Sequence, residues 1–223
     1  MPGELELLRN EAVGRLYRLD DEGMPVAEPE LMREILLQGR RRAGVPARYL
    51  RVEFKDLISQ TVKQRKYFDL AADYARRLNE GQTVPGMVIC GLPGTGKTML
   101  VCAMINYLRD MGMECRYVNL ISIFDQVKDA YISREVGGLD RVVRDLVEPR
   151  LLVIDEVGVH HGSNDERTVI YRIINGRWDN ERPTILAGNL NREEMSLYMG
   201  EHILDRVLAG KGPFMVFDWE SRR

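Results

Sequence analysis

The stretch GLPGTGKT, residues 91–98, constrains the fold of this chain more strongly than any other feature of the sequence. It matches the pattern G-x-x-x-x-G-K-[ST] at every fixed position, directly after the apolar run GMVIC and directly before the amphipathic run MLVCAMINYLRD. A strand, a glycine-rich loop and a helix in this order are the context in which the pattern binds phosphate. The sequence therefore predicts an α/β fold in which this loop leaves a buried parallel strand.

The residue types in this loop suit a nucleoside triphosphate. The glycines allow backbone N–H groups to turn toward phosphate oxygens, and the helix that follows adds the positive end of its dipole. We expect Lys97 to reach the β- and γ-phosphates and the Thr98 hydroxyl to ligate magnesium. The predicted nucleotide-binding residues of this segment are Gly91, Pro93, Gly94, Thr95, Gly96, Lys97, Thr98 and Met99.

Apolar strand patterns alternate with amphipathic helix patterns from residue 45 onward, which is typical of a parallel α/β sheet. A long helix is predicted from Phe54 to Leu78, ahead of Gly81. Right-handed crossovers between parallel strands place the loops at their carboxyl ends on one edge of the sheet, where ligands bind. The strand candidates are GMVIC, CRYVNL, LLVID, TILAGN and FMVF.

Two acidic residues and an asparagine follow other predicted strands at the same edge. In LLVIDE, residues 151–156, four apolar residues predict a strand buried on both faces, and Asp155 and Glu156 follow it. An unpaired carboxylate at a buried edge is costly, so the pair favours a site in which Asp155 holds magnesium and Glu156 polarises water. Asn189, after TILAG, is predicted to hold that water or the γ-phosphate. The predicted metal ligands are Thr98 and Asp155.

These motifs, in this order and spacing, resemble those of the AAA+ ATPases and, more closely, those of the bacterial DnaC-type replicative helicase loaders. The resemblance runs from about residue 40 to the C-terminus, and it is carried by GLPGTGKT, LLVIDEVGV, RPTILAGNLNREEM and GEHILDRVLAGKGPFMVFDWESRR. It implies an AAA+ domain with a five-stranded parallel sheet, flanking helices and no C-terminal helical lid. It also implies ATP and Mg²⁺ as the ligands of the loop.

In this family ATP binds between adjacent subunits of a spiral or ring. The arginine of the GE-x-x-x-DR segment matches Arg206, and the resemblance implies that Arg206 reaches the ATP of the next subunit. Loss of such arginines slows nucleotide hydrolases by about 10³ to 10⁵, so we expect a lone subunit to hydrolyse ATP slowly. Arg223, or alternatively Arg222, falls near a second arginine that contacts the nucleotide of its own subunit.

The resemblance further implies two macromolecular partners, a hexameric DnaB-type helicase and single-stranded DNA. It places DNA contact on the helices that precede LLVIDE, where Phe124 and Tyr131 share one helical face and Lys128 lies near both. The alternative is that Phe124 belongs to a core stripe with Ile121 and Val127. Both interpretations remain open at the level of sequence.

The first 44 residues are predicted to form a helical segment that binds the helicase. Apolar residues recur at helical spacing between Leu5 and Leu19, and a second helix is marked by Pro29 in its first turn and by GRRRAG at its end. The segment contains no Cys or His, which excludes a zinc module there. The predicted domains are residues 1–44, the partner-binding segment, and residues 45–223, the ATPase domain.

Composition excludes several other classes of protein. With 32 basic and 34 acidic residues the formal charge is −2, so no global field draws the surface to nucleic acid or to an anionic membrane. No apolar run approaches the roughly 20 residues that span a bilayer, and the N-terminus lacks a basic-then-apolar signal, so a cytoplasmic location is predicted. Three cysteines outside paired motifs predict buried, reduced thiols.

The residues and the resemblance lead to one functional hypothesis and two alternatives. The hypothesis is an ATPase that loads a DnaB-type helicase onto single-stranded DNA during replication initiation. The first alternative is an IstB-type transposition helper ATPase, which shares the same core but serves a transposase on duplex DNA. The second is an ATP-gated adaptor with little hydrolysis, and the intact Asp155 and Glu156 pair argues against it.

Overall fold

The computed structural model describes residues 5–8, 15–19, 25–27, 29–133, 136–159 and 164–221. Its strands are β1 (Leu5–Leu8), β2 (Arg15–Leu19), β3 (Pro25–Ala27), β4 (Met87–Gly91), β5 (Cys115–Asn119), β6 (Leu151–Val157), β7 (Thr184–Gly188) and β8 (Phe214–Phe217). Its helices are α1 (Pro29–Arg42), α2 (Val62–Asn79), α3 (Lys97–Asp110), α4 (Leu120–Ile132), α5 (Gly138–Val147), α6 (Asn164–Asp179), α7 (Arg192–Met199) and α8 (Glu201–Leu208). Five strands form one parallel sheet in the order β5-β6-β7-β4-β8, so the predicted α/β fold and its strand candidates are confirmed.

Helices cover both faces of this sheet, which explains why its strands are almost continuously apolar. Along β4, Met87 and Ile89 enter a core cluster with α1, α2 and α3, whereas Val88 and Cys90 enter a second cluster with α4 to α8. The side chains divide in this way because successive residues of a strand point to opposite faces. The sheet is thus buried on both faces, and loops connect the strands at their amino and carboxyl ends.

Helix α2 begins later than the sequence predicts. The predicted helix from Phe54 is interrupted, because residues 54–56 form a separate 3₁₀ turn and α2 begins only at Val62. Thr61 ends the intervening loop as an N-cap, since its hydroxyl accepts from the Gln64 backbone N–H and the Gln64 side chain accepts from the Thr61 backbone N–H. This capping box starts a helix at a defined residue, and apolar spacing alone does not reveal it.

The prediction of a helix between Leu5 and Leu19 is wrong. In its place β1, β2 and β3 form an antiparallel sheet in which Leu5 pairs with Arg18 and Tyr17 pairs with Ala27. The helical pattern from Leu5 to Leu19 is no longer than the roughly 12 to 15 residues below which an isolated helix is marginal, so it does not secure a helix. Over such short runs, apolar spacing does not distinguish a helix from a strand.

The second predicted N-terminal helix is present as α1, and it is anchored to the core beneath the parallel sheet. Leu37 is buried in the core cluster with α2 and α3. Arg40 is also buried; it forms an ion pair with Asp110 at the end of α3 and donates to the Leu50 carbonyl at 2.7 Å. A Cβ atom at Gly44 would lie 2.3 Å from the Tyr117 carbonyl oxygen, so the chain passes directly over β5. Helix α1 therefore packs continuously with the core that follows it along the chain.

Helix α6 is anchored by a buried arginine. The Arg177 side chain is fully buried and donates to the carbonyls of Leu146 at 3.0 Å, Pro149 at 2.8 Å and Pro183 at 2.7 Å, and to the Thr184 hydroxyl at 2.9 Å. Burial lowers the pKa of Arg177 to about 9, so the guanidinium stays charged at neutral pH. These bonds hold the C-terminal end of α6 rigidly against the ends of α5 and β7.

The structure also bears on the predictions from composition. Cys90, Cys102 and Cys115 are buried and free, and burial raises the pKa of each thiol, in agreement with the predicted reduced state. Among the described residues, no helix has both the length and the apolar character required to cross a membrane.

Candidate nucleotide-binding site

The carboxyl ends of β4, β6 and β7 open onto one cavity of about 420 Å³. Its walls include loop residues 93–99, the acidic residues Asp155 and Glu156, and Asn189. Cavities of roughly 300 to 1,000 Å³ are usual for small-molecule ligands, so the volume suits a nucleotide. The structure therefore brings together the predicted residues of all three motifs.

The phosphate-binding loop contains glycines in backbone conformations that other residues rarely adopt. Gly91 has a φ of +120°, and a Cβ atom there would lie 2.3 Å from the carbonyl oxygen of Phe217 in β8. Gly96 has a φ of +98° and is the N-cap of α3. Only glycine adopts such left-handed conformations without steric cost. The loop thus curls over the N-terminus of α3, where helix N–H groups and the helix dipole favour an anion.

Lys97 lies inside the cavity at the first turn of α3. Its side chain is buried, and its ammonium donates to the carbonyls of Gly91 at 2.8 Å and Leu92 at 2.6 Å. The Thr95 hydroxyl donates to the same Leu92 carbonyl at 2.7 Å. A buried ammonium beside the positive end of a helix dipole favours a ligand of negative charge. The loop residues present therefore fit a phosphate group.

Asp155 is held in a fixed orientation. It is buried at the end of β6; its Oδ1 accepts from the Glu156 backbone N–H at 2.8 Å and its Oδ2 from the Tyr117 hydroxyl at 2.9 Å. Burial, and then the neighbouring Asp155 carboxylate, raises the pKa of Tyr117, so this hydroxyl remains a donor at physiological pH. A preoriented carboxylate of this kind suits an ordered Mg²⁺ site.

Sequence reasoning missed Tyr117, although a signal was present. It lies in β5, in the run CRYVN, and β5 pairs directly with β6. A buried tyrosine hydroxyl needs a hydrogen-bond partner, and the acidic end of the neighbouring strand offers one. The order of strands was needed to identify that partner, since the strand that follows along the chain is not always the neighbour in the sheet.

Glu156 leaves the regular strand geometry and lines the cavity. Its φ is +58°, and the β6–β7 register shifts between Ile154 and Val157, which marks a bulge around it. The side chain is exposed, in contrast to its neighbours in β6. A non-glycine residue in this conformation costs about 1 to 3 kcal/mol and such residues cluster at functional sites. The bulge turns the carboxylate into the cavity rather than into the core.

Asn189 follows β7 beside this bulge. A Cβ atom at Gly188 would lie 2.3 Å from the Val157 carbonyl oxygen, so the ends of β6 and β7 approach each other closely. Asn189 itself is exposed and lines the same cavity as Glu156. The contact of Asn189 with water or with the γ-phosphate stays a prediction.

A second wall of the cavity comes from the segment 48–58, to which sequence reasoning assigned no role in the site. The Arg48 guanidinium lies 4.7 Å from the centre of the Tyr49 ring, and both residues line the cavity. The Asn106 side chain of α3 donates to the carbonyls of Tyr49 and Val52, both at 2.8 Å, and so ties the segment to the helix that carries the loop. This wall supplies apolar and aromatic surface beside the phosphate site.

Trp219 supports the loop from the C-terminal tail and was also missed as a site residue. Its indole N–H donates to the Thr95 carbonyl at 3.0 Å, and its ring lies 4.3 Å from the ring of Phe217. Lys63 in α2 pairs with Asp218 at 2.6 Å, which holds the start of the tail. The available signal was the F-x-W pattern of the tail, which resembles the loader family.

The structure does not bring Arg206 to the other predicted site residues. It lies on α8 and lines a separate cavity of about 500 Å³, together with Gly86 and Thr184, which lie at the amino ends of β4 and β7. The two cavities share no lining residue. The residues that line this second cavity include neither the phosphate-binding loop nor the acidic pair. Arg206 therefore lies at the sheet edge opposite to the nucleotide site of its own chain.

Two other predictions have different outcomes. Phe124 is buried in the core cluster of α4, as the alternative interpretation requires, whereas Lys128 and Tyr131 are exposed. Phe124 is therefore not a stacking surface for DNA in this conformation. The predicted nucleotide contact of Arg223, or of Arg222, lies outside the described residues.

Comparison with known proteins identifies relatives of this chain. The family model described as IstB-like ATP binding protein matches residues 41–210. The replicative helicase loader DnaC of Escherichia coli strain K12 is 29% identical over 182 residues, which cover 82% of this chain and 73% of DnaC. The resemblance inferred from the motifs is thereby confirmed.

Solved structures agree on the fold. The crystal structure of the DnaC helicase loader matches with a TM-score of 0.64 and 20% identity, and the match covers 77% of this chain and 99% of that one. The crystal structure of DnaI matches with a TM-score of 0.67 and 17% identity, and covers 82% of this chain and 100% of that one. At these identities the likeness establishes the fold.

Proposed function

Because this chain belongs to the family of IstB-like ATP-binding proteins, we propose that it is an Mg²⁺-dependent ATPase that loads a DnaB-type replicative helicase onto single-stranded DNA. The proposed ATPase activity is supported by one observation: the phosphate-binding loop, the Asp155 and Glu156 pair and Asn189 line the same cavity. The observation that carries the loader part is the similarity to DnaC along 82% of this chain.

Within the cavity each residue has a proposed role. Lys97 and the loop N–H groups bind the phosphates, and Thr98 and Asp155 would hold Mg²⁺, which neutralises charge on the phosphate oxygens. Tyr117 fixes the orientation of Asp155 through its 2.9 Å hydrogen bond. Glu156 orients and polarises the attacking water.

Hydrolysis is proposed to require two subunits. Arg206 lies at the opposite edge of the sheet from the loop of its own chain. A heterologous contact between copies places the amino edge of one subunit against the carboxyl edge of the next, and repetition of this contact generates a spiral or ring. Arg206 then stabilises charge on the neighbour's ATP, and a lone subunit turns over slowly.

The macromolecular partners are assigned by similarity to DnaC and by exposed surface. Lys128 and Tyr131 at the end of α4 are exposed and offer a phosphate contact and a stacking ring to single-stranded DNA. We propose that residues 1–44 form the helicase-binding segment, called the grip below, and that residues 45–223 form the ATPase domain. Since α1 is anchored to the core through Leu37 and Arg40, the grip is proposed to use β1 to β3 and the exposed face of α1.

The test is co-purification of the full chain with the host's replicative helicase, with and without ATP, followed by an ATPase assay with helicase and single-stranded DNA. Helicase capture and stimulated turnover are expected. A variant lacking β1 to β3 should lose capture while its ATP binding remains, and unchanged capture by this variant would refute the proposed grip.

The name of the matching family favours a second candidate, an IstB-type transposition helper. The same assay distinguishes the two functions, because capture of a transposase without the helicase, together with stimulation by duplex DNA, would select the helper. Binding of ATP without turnover under any of these conditions would select a nucleotide-gated adaptor.

A further inference from the structure

We propose that Tyr171 is a positioning residue for Arg206 and holds its guanidinium in the orientation that acts on the nucleotide of a second copy of this chain. The inference rests on the proposed action of Arg206 between subunits and adds the residue on which that action depends.

The contact between the two side chains is direct. The Cζ atom of Arg206 on α8 lies 5.1 Å from the centre of the Tyr171 ring on α6. This distance is within the range of a cation–π interaction, which restrains a guanidinium against the ring face. Hydrogen bonding from the side chains of Asn175 and then of Arg206 lowers the pKa of the Tyr171 hydroxyl.

One end of the Arg206 guanidinium is left without a partner by the part of the chain that the structure describes. Its Nη1 atom is buried, and no hydrogen-bond partner for it lies among the described residues. A buried donor without a partner is costly, because it has lost water without gaining an acceptor. Arg206 as a whole is only partly buried and lines the cavity at the amino ends of β4 and β7, so its guanidinium is within reach of a phosphate oxygen of a neighbouring subunit's ATP, and arginine is the side chain best suited to phosphate.

Helix α6, which carries Tyr171, is held in place by buried contacts. Tyr171, Asn175 and Trp178 are four and three residues apart on one face of α6, and Trp178 lines the same cavity as Arg206. The C-terminal end of α6 is anchored by the fully buried Arg177. A long arginine side chain has many rotamers in water, and a ring on a fixed helix reduces them before a partner arrives.

A purely structural role for Tyr171 predicts a different outcome on substitution. Tyr171 is 42% exposed and lies outside both core clusters, so its truncation leaves those clusters intact. Loss of the ring should therefore leave folding intact, and its effect should appear only where Arg206 acts. This distinction makes the inference testable with the full chain.

The first experiment measures ATPase activity of assembled protein, with helicase and single-stranded DNA present, for Tyr171→Ala and Tyr171→Phe. Misplacement of a catalytic group by about 1 Å can cost on the order of a hundredfold in rate, so Tyr171→Ala should lose roughly ten- to hundredfold. Tyr171→Phe keeps the ring and should retain most of the activity. ATP affinity of the dilute subunit and the melting temperature should match the unsubstituted chain for both variants.

Arg172→Ala is the matched control. Arg172 is the next residue of α6, is similarly exposed, and pairs with Asp140 on α5 at 2.6 Å rather than with Arg206. Its loss removes a charged side chain from the same helix without touching the Tyr171 contact. Equal activity losses for Arg172→Ala and Tyr171→Ala would show a general effect on α6 and overturn the inference.

The second experiment asks in which subunit Tyr171 acts. Tyr171→Ala is mixed with Lys97→Ala, which cannot hold ATP productively but keeps Tyr171 and Arg206 intact. In an equal random mixture about one interface in four joins an intact nucleotide site to an intact Arg206, so activity should rise above that of either variant alone. Absence of any rise would place the effect of Tyr171 in its own subunit and overturn the inference.

Failure of the inference and failure of the proposed function give different results. If Arg206→Ala loses assembly-dependent turnover while Tyr171→Ala retains it, the inference is wrong and the function between subunits stands. If the unsubstituted chain turns over equally fast as dilute monomer and in assemblies, and Arg206→Ala matches it, the proposed function is wrong.

Discussion

The two edges of the central sheet carry very different sites. At the carboxyl edge, the loop, Asp155, Glu156 and Asn189 line one cavity, and Tyr117 and Trp219 support them from within the same chain. At the amino edge, Arg206 lines a cavity with neither the loop nor the acidic pair, and its buried Nη1 lacks a partner among the described residues.

This difference shows how the proposed chemistry is divided between binding and turnover. The carboxyl edge contains the residues expected to bind ATP, so nucleotide binding is a property of one subunit. In the proposed mechanism the amino edge contributes a charge that acts on the nucleotide of another subunit, so turnover would require an assembly. Substitutions at the two edges should therefore separate binding from assembly-dependent hydrolysis.

The largest expected effect is at the amino edge. Arg206→Ala should lower the turnover of assembled protein by about 10³ to 10⁵, because the charge it supplies acts on the transition state of the neighbour's ATP. ATP binding by the dilute subunit, measured by titration with a fluorescent analogue, should be nearly unchanged. Equal loss of activity in dilute and assembled protein would remove the proposed division between the edges.

A slightly smaller loss is expected at the carboxyl edge. Glu156→Gln should keep ATP binding and lower turnover by about 10² to 10⁴, because the amide cannot polarise the attacking water. In contrast to Arg206→Ala, this loss should fall on the substituted subunit's own nucleotide. Mixing Glu156→Gln with Arg206→Ala should therefore restore part of the turnover, and a mixture as inactive as both parents would contradict this.

An intermediate effect is expected from the support of the metal site. Tyr117→Phe removes the 2.9 Å hydrogen bond to Asp155 and should raise the Mg²⁺ concentration for half-maximal activity by about tenfold, since partners of metal ligands contribute roughly 10- to 100-fold in affinity. Tyr74→Phe is the matched control, because it removes a 2.8 Å bond from a buried tyrosine to the Pro85 carbonyl, away from the site. The same Mg²⁺ shift in both variants would assign the effect to lost stability.

The smallest expected effect uses the two tryptophans as reporters of the two edges. Trp219 donates to the Thr95 carbonyl of the loop, whereas Trp178 is 47% exposed beside Arg206. With Trp178→Phe, the remaining Trp219 emission should change when ATP binds to dilute subunits. With Trp219→Phe, which loses one hydrogen bond of about 1 kcal/mol, the Trp178 emission should change only on assembly. A Trp178 response to ATP in dilute monomer would contradict this separation.

The sheet and most of the nucleotide site were predictable from local sequence. The loop residues 91–98 are contiguous, and LLVIDE and TILAGN each carry both the buried strand and the polar residue that follows it. In a parallel sheet the carboxyl ends of strands meet at one edge, so strand identity is enough to bring these residues together. Packing was not needed for that inference.

The errors concern places where periodicity is short or a cap decides the boundary. The residues from Leu5 to Leu19 have helical spacing but fold as strands, because backbone pairing between short runs outweighs a weak helical pattern. The helix predicted from Phe54 begins instead at Val62, where Thr61 and Gln64 form a capping box. Because α2 begins only at Val62, the preceding segment lies outside that helix and lines the nucleotide cavity.

The sequence by itself determined that this chain has a phosphate-binding loop, an acidic pair after a buried strand and a parallel sheet, because each of these is written in consecutive residues. Only the tertiary structure decided that Tyr117 orients Asp155, that Trp219 supports the loop, and that Arg206 rests on Tyr171 at the far edge. These contacts join residues far apart along the chain, and strand order and helix packing, rather than local pattern, bring them within reach.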